Sequence, residues 1–296
     1  MKKTLLNDGW EFSKNPIGSR YEDAENWQSV DLPHDWLIYD TNNLYETSTG
    51  WYRRILTVPC DGMRTSLRFE GVYMDSRVYV NGVPAGEWKY GYTTFEFDIT
   101  DLLHEGENLI SVRVDHREPN SRWYSGAGIY RNVWLNRFQQ THIVSDGVYI
   151  SAHADGRVDV TTEVERPEAE QADGLKLKLS VYKADSDEPV AQVVSDCTAA
   201  DKSVISAPVV KDGFRYSVNT QKLRLENPVL WDIDAPYIYN YTVELFKNDM
   251  VIDTVSGKFG FRDIEFTSDR GFFLNGRHIK PVSYTHLRAH ETGAYL

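Results

Sequence analysis

Apolar residues in this chain recur at every second position, segment after segment, and almost nowhere at the spacing of a helix. Residues 109–114 (LISVRV) show it most cleanly. Leu109, Ser111 and Arg113 fall on one face, and Ile110, Val112 and Val114 on the other, as a half-buried strand requires. Residues 77–80 (RVYV) are followed by Asn81-Gly82 and then by 83–88, and Asn-Gly between alternating runs is a strong hairpin signal. The same period marks 94–99, 148–150, 158–164, 175–182, 190–194, 214–218, 238–245 and 251–255. One short helical turn is expected over 100–103, before Gly106. Many short strands divided by Gly, Asp and Asn turns predict an all-β chain of antiparallel sandwiches.

At 296 residues the chain exceeds what one core organises well, so two domains of ordinary size are expected. The boundary falls near 139–143. Before it the sequence is rich in Trp and Tyr; after it the strands carry Val, Leu and Lys until Trp231. Residues 163–174 (EVERPEAEQADG) read as a solvated acidic loop. The 8 Trp and 18 Tyr suit sandwich cores first and sugar stacking second. A net charge of −12 argues against nucleic acid or an anionic membrane as partner, because both need a basic surface. Cys60 and Cys197, the 2 cysteines, make no disulfide framework and are compatible with a reducing compartment. No apolar run follows the opening MKKTLLNDGWEF, so the expected location is cytoplasmic.

Five segments carry a resemblance: 8–12 (DGWEF), 27–36 (WQSVDLPHDW), 50–58 (GWYRRILTV), 67–82 (LRFEGVYMDSRVYVNG) and 120–135 (NSRWYSGAGIYRNVWL). In this order they resemble the sugar-binding jelly-roll domain of glycoside hydrolase family 2, the β-galactosidase and β-glucuronidase family. Residues 143–258 resemble the family's immunoglobulin-like domain, most clearly at 226–245 (ENPVLWDIDAPYIYNYTVEL). Residues 259–280 resemble the lead-in to the family's catalytic barrel. They read as two short strands, one with Phe261, Ile264 and Phe266 and the next with Phe272, Phe273 and Leu274, closed by Asn275-Gly276. The resemblance implies a jelly roll over 1–141, an immunoglobulin-like sandwich over 142–259 and the start of a truncated (β/α)8 barrel over 260–280. Residues 281–296 (PVSYTHLRAHETGAYL) are expected to be a non-native tail, because 282–292 match one reading frame of a transposon-end sequencing adapter. A genuine loop with His286 and His290 at metal-ligand spacing is the alternative.

Family members are retaining glycosidases whose two glutamates lie on barrel strands, one protonating the leaving oxygen and one attacking the anomeric carbon. None of the 44 acidic residues falls in a segment matching either motif, so no catalytic residue is expected in this chain. The resemblance places Thr47, Arg122, Trp123 and Tyr124 on the rim of the substrate pocket. Well-known members carry Asp at the position of Arg122, seven residues before Ile129. Some β-galactosidases carry Asn at the position of Thr47, two before Thr49-Gly50 and Tyr52. Arg122 then donates to a sugar hydroxyl or carboxylate, or holds its loop through an ion pair. His34, Asp35 and Trp36, after Pro33, are expected to form a hydrogen-bonded corner, with ligand contact as the alternative, and Gly126 and Gly128 to bend the backbone tightly. Glu70 and Asp75 are expected to make fold contacts. Asp115, His116 and Ser121 are not expected to form a triad, which is defined by geometry and not by closeness in sequence.

The implied function is the non-catalytic N-terminal part of a β-galactosidase acting on terminal β-D-galactosides, inactive alone. A β-glucuronide or β-mannoside is the alternative substrate, and a stand-alone carbohydrate-binding or adhesin module the alternative function. No cofactor is expected in this stretch, a divalent or monovalent cation being left to the full-length enzyme. The implied partners are a β-linked saccharide, the missing barrel and a second copy in a homo-oligomer.

Overall fold

A computed structural model describes residues 1–59, 61–121, 124–197 and 212–280. Cys60, Arg122, Trp123 and the whole segment 281–296, with His286 and His290, lie outside the described residues. The chain divides into two compact units, Met1–Gln140 and Thr141–Leu296.

The first unit contains β1 (Lys2–Leu5), β2 (Trp10–Asn15), β3 (Gln28–Val30), β4 (Ser48–Thr57), β5 (Arg64–Phe69), β6 (Ser76–Val80), β7 (Val83–Trp88), β8 (Phe95–Asp98), β9 (Glu107–His116) and β10 (Val133–Phe138). A six-stranded sheet runs β3-β2-β4-β9-β6-β7 and a four-stranded sheet β1-β10-β5-β8. The expected hairpin forms, with Val80 opposite Val83 across Asn81-Gly82. Thr100–Leu102 is a 3-10 turn where a short helical turn was expected.

Alternation decides which residues fill the space between the sheets. On β9, Ile110, Val112 and Val114 are buried to 1% exposure or less, while on the other face Leu109 and Arg113 are half-buried and Ser111 is 4% exposed. They join one cluster with Trp10, Tyr52, Leu67, Phe69 and Val133 from both sheets. Each such side chain contributes about 1.5–3 kcal/mol relative to exposure. The unit is a jelly-roll sandwich.

The second unit contains β11 (His142–Ala152), β12 (Arg157–Pro167), β13 (Leu175–Tyr182), β14 (Pro189–Asp196), β15 (Phe214–Arg224), β16 (Tyr239–Lys247) and β17 (Met250–Phe259). Sheets β11-β12-β15 and β14-β13-β16-β17 enclose Val158, Val160, Leu177, Leu179, Val243 and Leu245 in an immunoglobulin-like sandwich. Gln221 is buried between them and donates to Leu177 O at 2.9 Å and to Ser195 Oγ at 3.0 Å.

Two expectations are corrected in this unit. Residues 163–167 are strand, not loop. β12 continues through Glu163, Glu165 and Arg166, all at 5% exposure or less, and its pairing runs on to Pro167 opposite Phe214. His142 Nε2 lies 3.6 Å from the Glu165 carboxylate, a contact across 23 positions that composition does not reveal. The second correction concerns 259–280. Three strands form there, β18 (Ile264–Thr267), β19 (Gly271–Leu274) and β20 (Arg277–Ile279), with Asn275-Gly276 turning β19 into β20. Phe261 belongs to none of them. It bridges Leu230 and is fully buried in the sandwich core. Among the described residues no helix is long and apolar enough to cross a membrane.

Candidate functional site

One loop cluster of the first unit gathers the described residues expected at the rim. Its centre is Asp35. The carboxylate accepts from the backbone N–H of Leu37 at 3.0 Å, closing a local Asx turn, and from Ala127 N–H at 3.0 Å. Tyr124 donates its hydroxyl to the other oxygen at 2.5 Å. Backbone bonds from His34 N–H to Ile129 O at 2.8 Å and from Trp36 N–H to Ala127 O at 3.1 Å bind the corner to the second loop.

Such close approach requires glycine. Gly126 and Gly128 have φ of +74° and +132°. A Cβ on Gly126 would lie 2.7 Å from Asp35 Oδ2, and one on Gly128 2.5 Å from both His34 O and the Tyr52 hydroxyl. The expected tight bend is present, and it also leaves room for another strand's side chain.

Behind the corner the polar groups pair in neutral form. His34 Nδ1 and the Tyr52 hydroxyl are 2.7 Å apart and buried. Burial lowers the His34 pKa, against the pull of the Asp35 charge, and burial raises that of Tyr52 well above its ordinary value. Trp36 donates its indole N–H to Ser48 Oγ at 3.1 Å and stacks on Phe12 at 5.4 Å. The Tyr124 phenol is also pushed up strongly, by burial first and then by its bond to the Asp35 carboxylate. It stays a proton donor at neutral pH, and its proton is already committed.

Thr47 is tied to the other end of the same loop. Its hydroxyl accepts from Glu118 N–H at 3.0 Å. Beside it, His116 Nδ1 lies 2.6 Å from Glu46 O, and its Nε2 lies 3.3 Å from Asn120 Nδ2 and 3.4 Å from Glu118 Oε1. Ser125 donates to Asn120 Oδ1 at 3.3 Å, which closes the loop on itself. Thr47 and Tyr124 therefore sit at the two roots of the loop that carries Arg122 and Trp123 in sequence.

Asp115 and His116 do not work together. As neighbours on β9 they point to opposite faces, Asp115 accepting from Thr49 Oγ1 at 2.6 Å and from Arg113 at 2.8 Å. Glu70 makes the fold contacts expected of it, accepting from Asn132 and the Trp134 indole at 2.9 Å each. Sequence reasoning did not find the His34–Tyr52 pair or the Thr49–Asp115–Arg113 cluster. Tyr52 is visible in the Thr-Gly-x-Tyr segment, but its partner lies 18 positions away.

Chemically, the cluster offers fixed hydrogen-bonding groups on a braced pair of loops. Asp35, Asp115 and Glu118 all accept bonds from within the unit. Among the described residues no group of three or more His, Cys, Asp or Glu is placed to hold a metal ion.

Two tandem β-sandwiches, the first closed by a bonded corner and a doubly rooted loop, define a class that sequence comparison makes specific. Residues 10–139 match the sugar binding domain of the glycosyl hydrolases family 2, and residues 141–262 match the family's next domain. The chain belongs to glycoside hydrolase family 2. It is 35% identical to the β-galactosidase BoGH2A of Bacteroides ovatus over 94% of its own length and 34% of that protein's. It is 30% identical to a β-glucuronidase of Formosa agariphila over 93% of its length and 31% of that protein's. A crystal structure of a family 2 member from Bacteroides cellulosilyticus superposes with a TM-score of 0.78 at 29% identity, covering 95% of this chain and 39% of that one. The chain thus spans about a third of the length of the curated relatives it matches.

Proposed function

We propose that this chain forms the two sandwich domains that support the catalytic barrel of a retaining β-galactosidase, with terminal β-D-galactosides as substrate. The supporting observation is the 35% identity to a β-galactosidase across 94% of this chain, against 34% of that enzyme. Residues 122–131 (RWYSGAGIYR) favour a β-galactoside over a β-glucuronide or β-mannoside. Thr47, Arg122, Trp123 and Tyr124 shape the rim of the sugar cleft, and the braced corner at Asp35 keeps that rim in place. The reacting pair is two glutamates roughly 5 Å apart, one protonated and one ionised, carried on barrel strands outside residues 1–280. The two sandwiches supply walls and no proton transfer, so the chain alone is inactive. The cytoplasm is the compartment we assign, a homo-oligomer the assembly, and any cation belongs to the full-length enzyme.

The test is a substrate panel. The gene carried through the length that the relatives add is assayed on nitrophenyl β-galactoside, β-glucuronide and β-mannoside. The galactoside is expected to be hydrolysed fastest. A preference for either other sugar overturns the substrate, and activity on none of them overturns the glycosidase assignment.

A further inference from the structure

A groove of about 730 Å³ opens on the second unit, remote in sequence from the rim described above. Tyr149 and Ser151 reach it from β11, His153 from just past its end, and Trp231, Arg262 and Asp263 complete it. Alternation puts Tyr149 and Ser151 on one face of the strand, and Tyr149 is 70% exposed there.

The polar groups form a row. Ser151 Oγ is 3.3 Å from His153 Nε2, and His153 Nδ1 is 3.5 Å from Asp263 Oδ1. A nucleophilic relay needs a buried orienting carboxylate, and the Asp263 side chain is 53% exposed, so the row is a ladder of donors and acceptors. It is held from behind. Asn275 accepts from Asp263 N–H and donates to Trp231 O, both at 3.0 Å, while Asp263 Oδ1 accepts from Ala154 N–H at 3.2 Å. Arg262 lies over the Trp231 ring at 4.9 Å and has no ion-pair partner among the described residues.

We propose that this groove binds a short neutral oligosaccharide. Pockets of roughly 300–1,000 Å³ with aromatic walls and a few convergent polar groups are the usual form of a small-ligand site. A pyranose ring has one apolar face, which the exposed Tyr149 ring matches, and a rim of hydroxyls that both donate and accept. Adjacent guanidinium and carboxylate groups meet both needs, Arg262 donating and Asp263 accepting. An anionic ligand would face Asp263 and a chain of net charge −12, so neutrality fits better. The site needs neither catalysis nor a barrel.

The experiment is a calorimetric titration of the purified chain with lactose, galactobiose and cellobiose. At least one should bind saturably with a dissociation constant on the order of millimolar. Tyr149→Ala and Arg262→Ala, both at exposed positions, should each weaken it by about tenfold with an unchanged circular dichroism spectrum. Thr47→Ala and Tyr124→Phe should leave it unchanged. No saturable binding up to ~100 mM, binding indifferent to both second-unit variants, or binding lost through the first-unit variants overturns the proposal. Hydrolysis is not read, so failure here is distinct from failure of the β-galactosidase assignment.

Discussion

The Tyr124 hydroxyl donates to Asp35 Oδ2 at 2.5 Å, joining two loops 89 positions apart in sequence. Asp35 also anchors the backbone of Leu37 and Ala127, so the pair is where the corner and the loop between β9 and β10 are held together. Asp35→Ala should destabilise the first unit by about 2–3 kcal/mol, and Tyr124→Phe by about 1.5 kcal/mol, because hydrogen bonds to a charged group are the stronger kind. Urea unfolding of both variants and the double variant should give a coupling energy of about 1 kcal/mol or more. Additive losses would show that the bond contributes nothing of its own.

Gly128→Ala should be the most damaging small substitution in the first unit. Its φ of +132° is strained for any L side chain, and the new Cβ would meet His34 O and the Tyr52 hydroxyl at 2.5 Å. A loss of about 3 kcal/mol or more is expected. Gly126→Ala should cost less, since its nearest neighbour is the side chain of Asp35 and not backbone. Thermal melts of the two variants would rank them, and the opposite order would contradict the packing.

His34 should make the first unit less stable in acid. Burial lowers its pKa, opposed by the Asp35 charge, so the folded state releases the proton more readily than the unfolded chain does. The unfolded imidazole titrates near pH ~6.5. Stability therefore falls as pH drops through that value and goes on falling until the depressed folded pKa is passed. The urea midpoint should drop more between pH 7.5 and 5.5 in the native chain than in His34→Gln. Equal drops would mean that His34 carries none of the effect.

The strands most legible in the sequence were those with one face in a core and the other in water. On β13 the inward Leu175, Leu177 and Leu179 alternate with half-buried Lys176 and Lys178, and the pattern is clear. β4 was harder, because Ser48, Thr49, Gly50, Trp51 and Tyr52 are all buried and a strand covered on both sides has no period. The sequence marked only the motif it carries at 50–58, and the strand itself was not read. Glu163, Glu165 and Arg166 misled for another reason. Charged residues usually mark solvent, and what holds these inside includes the His142 contact, which folding alone supplies. The corner at 34–36 was foreseen as hydrogen-bonded, but its partners at Tyr52, Tyr124 and Ala127 come from two other segments.

Cys197 should be unreactive until the second unit opens. Burial pushes its thiol up to about 11, with the Asp196 charge adding and Arg166 opposing. Only about a thousandth is then thiolate at pH 8. In a Cys60→Ser background, dithionitrobenzoate should react negligibly with the native chain and with one thiol after denaturation. Rapid native reaction would contradict the burial.

The central claim is that these sandwiches brace a sugar cleft whose reacting carboxylates lie elsewhere. It is tested most directly by the hydrolysis of nitrophenyl β-galactoside by the purified chain, beside a buffer blank and the extended gene product. The account predicts that the chain matches the blank while the extended protein turns over substrate. Clear turnover by the chain alone would contradict it.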